Sequence, residues 1–468
     1  MSGPGQQYVI KQAFIAADRF GGFDENYIDV KTMIVEVSLY ESLDKPYVSG
    51  EMVILDDKGL FEKMSFKGTE KLQLTIAGVT TDESGEPVEV FPPGGKDVTK
   101  QRTFVITSVD SRVKSGAAGN ASLYTMSFVD EHAFLNSLKE VSKSYTGRIT
   151  DIMSSIILSE LNKSVDASYT ETERSTNKLI ETQGFQENVK VIIPSLSPLA
   201  AVKWLQKRAT TKNGSPYFVW ASIHDDRLRI GNLDTMLTQD AWNAKLPFTY
   251  GQSNISTAEK GTGLERASII KDISYSDMGN SFGLVKAGSI GAEYANTNLN
   301  TGRISKSHYS FRKTLENLSN DNIINIKKQN VFDTEAKFGD RLMDDYDAIG
   351  YHTITSSGVY GEQKSYHDEY DASRFQKKIE SKAIKNHLIK DMFNIAVAGE
   401  SFFISGAGAG DIISLLIAGD DVERTEDGHK DDLIDNERSG DALIYDVRHT
   451  FNGTQHTVSM NVCKLERL

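Results

Sequence analysis

The chain has 468 residues, with 52 Lys+Arg against 65 Asp+Glu and a formal net charge of −13. That length predicts about three domains, and 39% hydrophobic with 25% charged content fits an ordinary globular protein. The single cysteine, Cys463, excludes an intrachain disulfide framework and a Cys-based zinc site, while the acidic balance disfavours tight binding of a phosphate backbone.

The start, Met1-Ser-Gly-Pro-Gly-Gln-Gln, has neither a basic nor an apolar region and predicts no secretory signal. Val35, Val37 and Leu39 alternate with Glu36, Ser38 and Tyr40, which predicts a half-buried strand. A second strand is predicted over Gly50–Leu55, then a short helix over Asp57–Met64. Glu70–Gly78 alternates again, with Leu72, Leu74 and Ile76 on one face. A polar loop is predicted from Val79 to Gln101, carrying Pro92-Pro93-Gly94-Gly95, and strands over Thr103–Val109 and Ser122–Val129.

The period then changes. Ile149, Ile152, Met153, Ile156, Ile157 and Leu161 recur at helical spacing. Ser197-Pro198 opens a second helix, with Leu199, Val202 and Leu205 inward and a stop near Lys212-Asn213-Gly214. Tyr217–Ser222 and Arg227–Gly231 predict a hairpin around His224-Asp225-Asp226. Strands are predicted again over Ile269–Tyr275 and Phe282–Ile290. The polar stretch 292–370 reads as an inserted segment with a helix around Phe332–Tyr346. An amphipathic helix over Arg374–Phe393 carries Phe375, Ile379, Ala383, Ile389, Met392 and Phe393, and strands run on to the C-terminus. The longest apolar run, near Ile412–Ala418, is far short of the ~20 residues of a membrane helix.

The two β-rich ends match each other. Glu70-Lys-Leu-Gln-Leu-Thr-Ile-Ala-Gly78 aligns with Asp411-Ile-Ile-Ser-Leu-Leu-Ile-Ala-Gly419, and each is followed by a polar loop (Val79–Gln101, Asp420–Asp441) and a strand pair. Thr125-Met-Ser127 is matched to Thr457-Val-Ser459, and Ile273-Ser-Tyr-Ser-Asp277 echoes Val37-Ser-Leu-Tyr-Glu41. Order and spacing together predict an internal duplication. Three such chains would set six similar domains around one axis.

With the duplication in view, an ordered set of motifs resembles the baseplate central hub proteins of contractile-tailed bacteriophages, and more distantly the hub part of type VI secretion spike proteins. In the first section the set is Gly50-x-x-x-x-x-Asp56, Leu60-x-x-Lys63-Met64 and Gly68-x-Glu70. In the middle it is the helix Ser197–Ala209 leading into Phe218-Val-Trp220. In the last it is Gly410-Asp411, Asp446-Val-Arg448-His449 and the strand Thr457–Val462. The resemblance spans the chain except 292–370. It implies an α+β, mainly β fold, with tube-like β-barrel or sandwich domains at 1–145 and at 251–291 with 371–468. An α+β domain at 146–250 separates them. It further implies a homotrimer of pseudo-six-fold symmetry joining a hexameric tail tube protein to a trimeric spike protein. Other baseplate proteins and the tape measure protein would touch it, and double-stranded DNA would pass through without specific binding. The place is the virion tail baseplate, assembled in the host cytoplasm, with no stable membrane insertion. The chain ends at Leu468 with no oligosaccharide-binding-like domain or β-helix repeat, so a separate spike chain is expected. A channel wall poor in Lys and Arg would let DNA slide.

Chemistry-bearing motifs are weak. Gly406-Ala-Gly-Ala-Gly410 lacks the Lys-Ser/Thr of a phosphate loop and reads as a tight turn. Glu423–Ile434 lacks the closing Glu of a calcium loop. His224-Asp225-Asp226 reads as a hairpin turn, where Asp is favoured for local hydrogen bonding, His367-Asp368-Glu369 has no third ligand at helical spacing, Cys463 reads as a small buried residue, and Phe218 and Trp220 read as core. No cofactor, metal or catalytic residue is expected. Two rival functions remain: a tail-borne cell-wall hydrolase with carboxylates ~5–10 Å apart, and a peripheral receptor- or glycan-binding tail protein.

Overall fold

The alternating stretches at both ends of the chain fold into strands of one 14-stranded sheet. The computed structural model describes residues 7–81, 87–90, 102–115, 121–169, 189–211, 214–224, 226–251, 268–275, 281–299, 302–320, 332–355, 372–390, 392–419, 434–435 and 438–464. The first section holds β1 (Tyr8–Ala16), α1 (Gly22–Glu25), β2 (Tyr27–Asp29), β3 (Ile34–Ser42), β4 (Lys45–Asp56), α2 (Leu60–Met64) and β5 (Lys71–Thr81). It continues with β6 (Pro87–Val90), β7 (Arg102–Ser115) and β8 (Ala121–Asp130).

The middle section holds α3 (Glu131–Ser137), β9 (Ser144–Gly147), α4 (Ile149–Leu161), β10 (Val165–Tyr169), β11 (Val189–Ile192) and α5 (Pro198–Gln206). The hairpin β12 (Tyr217–Ala221) and β13 (Leu228–Asn232) and α6 (Leu233–Leu237) close it. All six apolar positions predicted for α4 are buried. Then follow β14 (Phe248–Tyr250), β15 (Ile270–Tyr275), α7 (Ser281–Lys286), β16 (Gly291–Asn298), β17 (Ile304–Ser310) and α8 (Phe311–Asn320). After these come β18 (Lys337–Phe338), β19 (Arg341–Leu342), β20 (Gly350–Thr355), α9 (Ala372–Lys390) and β21 (Phe393–Ala398). The chain closes with α10 (Gly399–Ser405), β22 (Ile412–Ile417), β23 (Gly440–Asn452) and β24 (Gln455–Lys464). The fold is α+β and mainly β. No described helix is long and apolar enough to cross a membrane.

The two ends repeat one ladder. In the first, β3 pairs with β4, β4 with β8, β8 with β7 and β7 with β5, all antiparallel. In the second, β15 pairs with β21, β21 with β24, β24 with β23 and β23 with β22, again all antiparallel. The register repeats as well. Lys71 faces Val105 where Ile412 faces Leu443, as the alignment of Glu70–Gly78 on Asp411–Gly419 requires. Each hairpin has a bulge at the same place, between Ile106 and Ser108 and between Ile444 and Asp446. The leading strands share another, between Ile34 and Glu36 and between Ile270 and Asp272. Val37 faces Met52 where Ile273 faces Ile395, so that echo is in phase. The Thr-x-Ser match is two residues out of phase, since Thr125 corresponds to Ser459 and Ser127 to Asn461. The copies differ at one side: β1 runs antiparallel to β5, whereas β14 runs parallel to β22.

The buried side chains form three clusters. One joins the first ladder to α4, α5 and one face of β12; one lies between the other face of β12, β16, β17, α8 and α9; the third fills the second ladder. β12 is buried on both faces, with Phe218 and Trp220 on one and Tyr217, Val219 and Ala221 on the other.

Several expectations are corrected. Val35 is 43% exposed, because the bulge after Ile34 turns it out of phase with Val37 and Leu39. The strand predicted over Phe282–Ile290 is the helix α7 and a turn; a short apolar run does not separate the two periods. The helix predicted around Phe332–Tyr346 is the hairpin β18–β19, turned at Gly339 (φ +65°), and a 3-10 turn at Met343–Asp345. α5 ends at Gln206 rather than near Gly214, and Gly214 closes a separate turn by donating its N–H to the Thr211 carbonyl. Ser197 makes no side-chain cap; Asn136 Oδ1 accepts the Leu199 N–H instead, at 2.7 Å. The loop predicted from Val79 is in part strand, as β5 runs to Thr81 and pairs with β6. α10 interrupts the predicted run of C-terminal strands, and Phe393 belongs to β21 rather than to the helix before it. The rest of both polar loops, Pro92–Gly95, His367–Glu369, Asp225 and 423–433 lie outside the described residues.

Candidate assembly site at the seam between the ladders

The two ladders are joined edge to edge. β23 pairs antiparallel with β3 from Asp446 opposite Ser42 to Asn452 opposite Glu36. β23 therefore serves two neighbours on one side: β22 through Gly440–Leu443, and β3 beyond the bulge. Across the seam Ser38 and Thr450 bring their hydroxyls to 3.4 Å, and Arg448 reaches Ser38 Oγ at 3.3 Å while lying over the Tyr40 ring.

Polar groups placed in apolar phase lock this seam from below. Glu41 shares the inward face of β3 with Val37 and Leu39 and is buried. Its carboxylate accepts the Ile223 N–H at 2.9 Å, from the β12–β13 turn, and the Ala409 N–H at 2.5 Å, from the glycine-rich turn. Burial pushes the Glu41 carboxyl up to about 7, against the pull of those two N–H donors and of Arg229. Glu41 thus ties the first ladder, the second ladder and the middle section at one point.

Beside it lie three buried histidines. His449 of β23 and His456 of β24 share a hydrogen bond, Nδ1 to Nε2, at 3.1 Å. His224 Nε2 donates to the Ala407 carbonyl at 2.9 Å. Phe403 of α10 packs edge-on to the His449 and His456 rings, and Phe451 stacks on His456. Burial, then the neighbouring imidazoles, holds His449 well below the usual histidine range, and burial holds His456 down to about 3. These contacts make a buried plug in which His449 and His456 are held neutral. Among the described residues no group of three or more His, Cys, Asp or Glu is arranged to hold a metal.

The motif residues occupy structural places around this plug. Gly50 leaves room for the Phe128 ring on the neighbouring strand. Asp56 accepts the Lys58, Leu60 and Phe61 N–H groups at 3.1, 2.8 and 3.0 Å, so it caps α2. Burial would raise its pKa, yet these bonds outweigh that and hold it low. Asp56→Ala is expected to cost roughly 1–2 kcal/mol, read as a lower urea midpoint. Gly68 turns with φ +80°, and the Lys67, Gly68 and Thr69 N–H groups wrap the buried Glu70 carboxylate, which Arg19 meets at 2.7 Å. Phe218 and Trp220 are fully buried. Gly410 (φ +94°) sits 2.9 Å, by its absent Cβ, from Trp220, and Asp411 Oδ2 accepts the Gly408 N–H. The structure brings Gly410, Asp411, Arg448 and His449 to the seam; Asp56, Gly68 and Glu70 belong to the α2 turn of the first ladder. Sequence reasoning gave no role to Glu41, His456 or Asp130, which is buried and paired with Arg102 at 2.8 Å. The signal was available: each is a polar residue in the apolar phase of its strand.

No protein-family model matches the chain, and no curated protein matches it. Among solved structures, the tail protein from Neisseria meningitidis MC58 matches with TM-score 0.51 and 10% identity, covering 98% of this chain and 97% of that one. The 43 kDa tail protein of prophage MuSo2 from Shewanella oneidensis matches with TM-score 0.45 and 10% identity, over 97% and 98%. An E. coli type VI secretion system component, described as similar to T4 tail proteins gp27 and gp5, matches with TM-score 0.37 and 9% identity, over 93% and 74%. The likeness to the Neisseria protein shows a common fold along essentially the whole chain.

Proposed function

We propose that this chain is a structural tail protein, the baseplate central hub of a contractile tail. Three copies form a ring whose six ladders meet the hexameric tube on one side and a trimeric spike on the other. The observation that carries this is the register-matched duplication joined edge to edge by β3 and β23. A ladder already paired with its own copy inside the chain is a building block for a ring of such copies. The shared fold with the Neisseria tail protein agrees with it. In this reading the tube-like domains are 1–145 and 251–291 with 371–468, while 146–250 and the segment 292–370 occur once per chain and so face the three-fold partner.

The outward face of the seam suits a channel wall. One row runs Thr457, Thr450, Ser38, Glu51, Ser127, Ser108 across six strands. Neighbouring rows add Glu36, Asp110, Asp446 and Arg448. Apart from Arg448, whose guanidinium lies over the Tyr40 ring, this face presents hydroxyls and carboxylates, which would give phosphates little to hold, and the duplex would slide.

Native mass spectrometry of the purified chain tests the ring. The expected species is three chains, and six-lobed rings are expected by electron microscopy. A chain that stays monomeric at high concentration would overturn the proposal. A peptidoglycan zymogram with clear lysis would favour the hydrolase instead.

A further inference from the structure

We infer that the β1–β2 unit is a docking surface for a basic segment of a partner protein, one that carries arginine or lysine beside apolar residues. The connection and β2 read Asp18-Arg-Phe-Gly-Gly-Phe-Asp-Glu-Asn-Tyr-Ile-Asp29, with four carboxylates against one arginine. That arginine is turned back into the chain. Arg19 meets the buried Glu70 at 2.7 Å and donates to the Met64 carbonyl. The carboxylates point the other way: Asp18, Asp24, Glu25 and Asp29 are all exposed. Asp18 shares Lys71 with Glu131, each at 3.3 Å. Among the described residues no cation pairs with Asp24, Glu25 or Asp29. The unit occurs once per chain, because the second ladder has β14 running parallel to β22 where the first has β1 and β2. The inference stands apart from the ring reading.

Aromatic rings stand among these carboxylates. Tyr27 is 53% exposed and Phe20 is 42% exposed. Both rings are supported. Phe14 lies against Tyr27 with ring centroids 4.6 Å apart, and the Arg19 guanidinium lies 4.9 Å from the Phe20 centroid. Asn26 Nδ2 donates to the Phe20 carbonyl at 2.8 Å, which draws the two ends of the turn together. The register sets Phe14 opposite Asp29 and Ala16 opposite Tyr27, so Phe14, Tyr27 and Asp29 share one face. Supported rings lose little freedom on binding, and their faces attract cations. The Arg19–Phe20 contact is this chain's own example of that pairing. A partner's cation seated on Tyr27 or Phe20 would find carboxylates on either side. A phosphate-bearing partner would be repelled by them, and a wholly apolar one would bury them unpaired. β2 is also the last strand of the 14-stranded sheet, so the surface lies at its margin.

Fluorescence anisotropy of the full chain with a labelled peptide of alternating leucine and arginine tests this. The unmodified chain should bind it, more weakly as salt rises, and should not bind the matching peptide of leucine and glutamate. Phe20→Ser with Tyr27→Ser leaves the charge unchanged and should weaken binding about tenfold. Asp24→Asn with Glu25→Gln should weaken it and flatten its salt dependence. Glu140→Gln with Asp151→Asn removes as much charge from exposed positions of the middle section and should leave binding as it was. Failure of the unmodified chain to bind would overturn the proposal. So would a serine variant that binds like the unmodified chain, or a Glu140/Asp151 variant that loses as much as the Asp24/Glu25 one, since the peptide would then read only the net charge. A serine variant of lower mass in solution than the unmodified chain would assign the rings to a second copy of this chain and overturn the partner. If the serine variant does not fold, the comparison of the two charge variants decides.

Discussion

Glu41→Ala is expected to lower the unfolding free energy by roughly 3–5 kcal/mol, because the Ile223 and Ala409 N–H groups would be left buried without an acceptor. Each such donor costs about 1–3 kcal/mol when its partner is removed. Glu41→Gln should behave differently. It keeps a carbonyl oxygen for the donors and removes the cost of a buried charge, so above pH 7 it should be neutral or stabilising. Urea denaturation at pH 8 separates the two. If Ala and Gln at position 41 cost the same small amount, Glu41 is not the tie between the three sections.

The largest effect expected is acid unfolding, and its shape has two parts. His449 and His456 are held neutral in the folded chain. Between the unfolded histidine value of about 6.5 and the depressed folded value, the unfolded chain binds more protons, so stability falls as pH falls through that range. For His456, held to about 3, the loss reaches about 5 kcal/mol at the acid end. Glu41 works in the opposite direction. Its folded value is raised to about 7, so the folded chain binds the extra proton and stability rises by about 3 kcal/mol as pH falls from 7 to about 4.5. His387, held down to about 3, and His132, also held low, add losses of the same sign, so the histidines outweigh the Glu41 gain and stability declines from about pH 6.5, more steeply below about 4.5 where Glu41 adds nothing further. Asp56, Glu70 and Asp130, all held below their ordinary values, deepen the loss at the acid end. In Glu41→Gln the partial compensation is gone, and the decline between pH 7 and 5 should be steeper than in the native chain. Urea midpoints at pH 8, 6.5, 5 and 4 would show this; an unchanged curve in Glu41→Gln would sink the account.

The legible part of this chain is the part written in local period. Ile149 through Leu161 announced a helix because six apolar residues at helical spacing leave one solution. Glu70–Gly78 and Asp411–Gly419 announced a repeat, and the ladder registers agree with that alignment residue for residue. What failed was short or interrupted. Phe282–Ile290 offers too few residues to tell strand from helix, and Val35 is displaced by a bulge that no local pattern displays. The segment around Gly291–Thr355 misled for another reason. Its three-stranded sheet, β17-β16-β20, is mostly polar on β17, and its burial comes from α9 and the middle section rather than from its own alternation.

The site was half visible. His449, Gly410 and Asp411 stood in the motif set, but nothing near them in the chain names their partners. Glu41 meets Ile223 across 182 residues and Ala409 across 368. By itself the sequence determined the long alternating strands of both ladders and their duplication, because period and propensity act over a few residues. Only the tertiary structure decided that β3 would join β23 and that Glu41 and three histidines would share one buried core. Backbone edges carry no side-chain code for their neighbour, so pairing is settled by which surfaces the packed cores bring together.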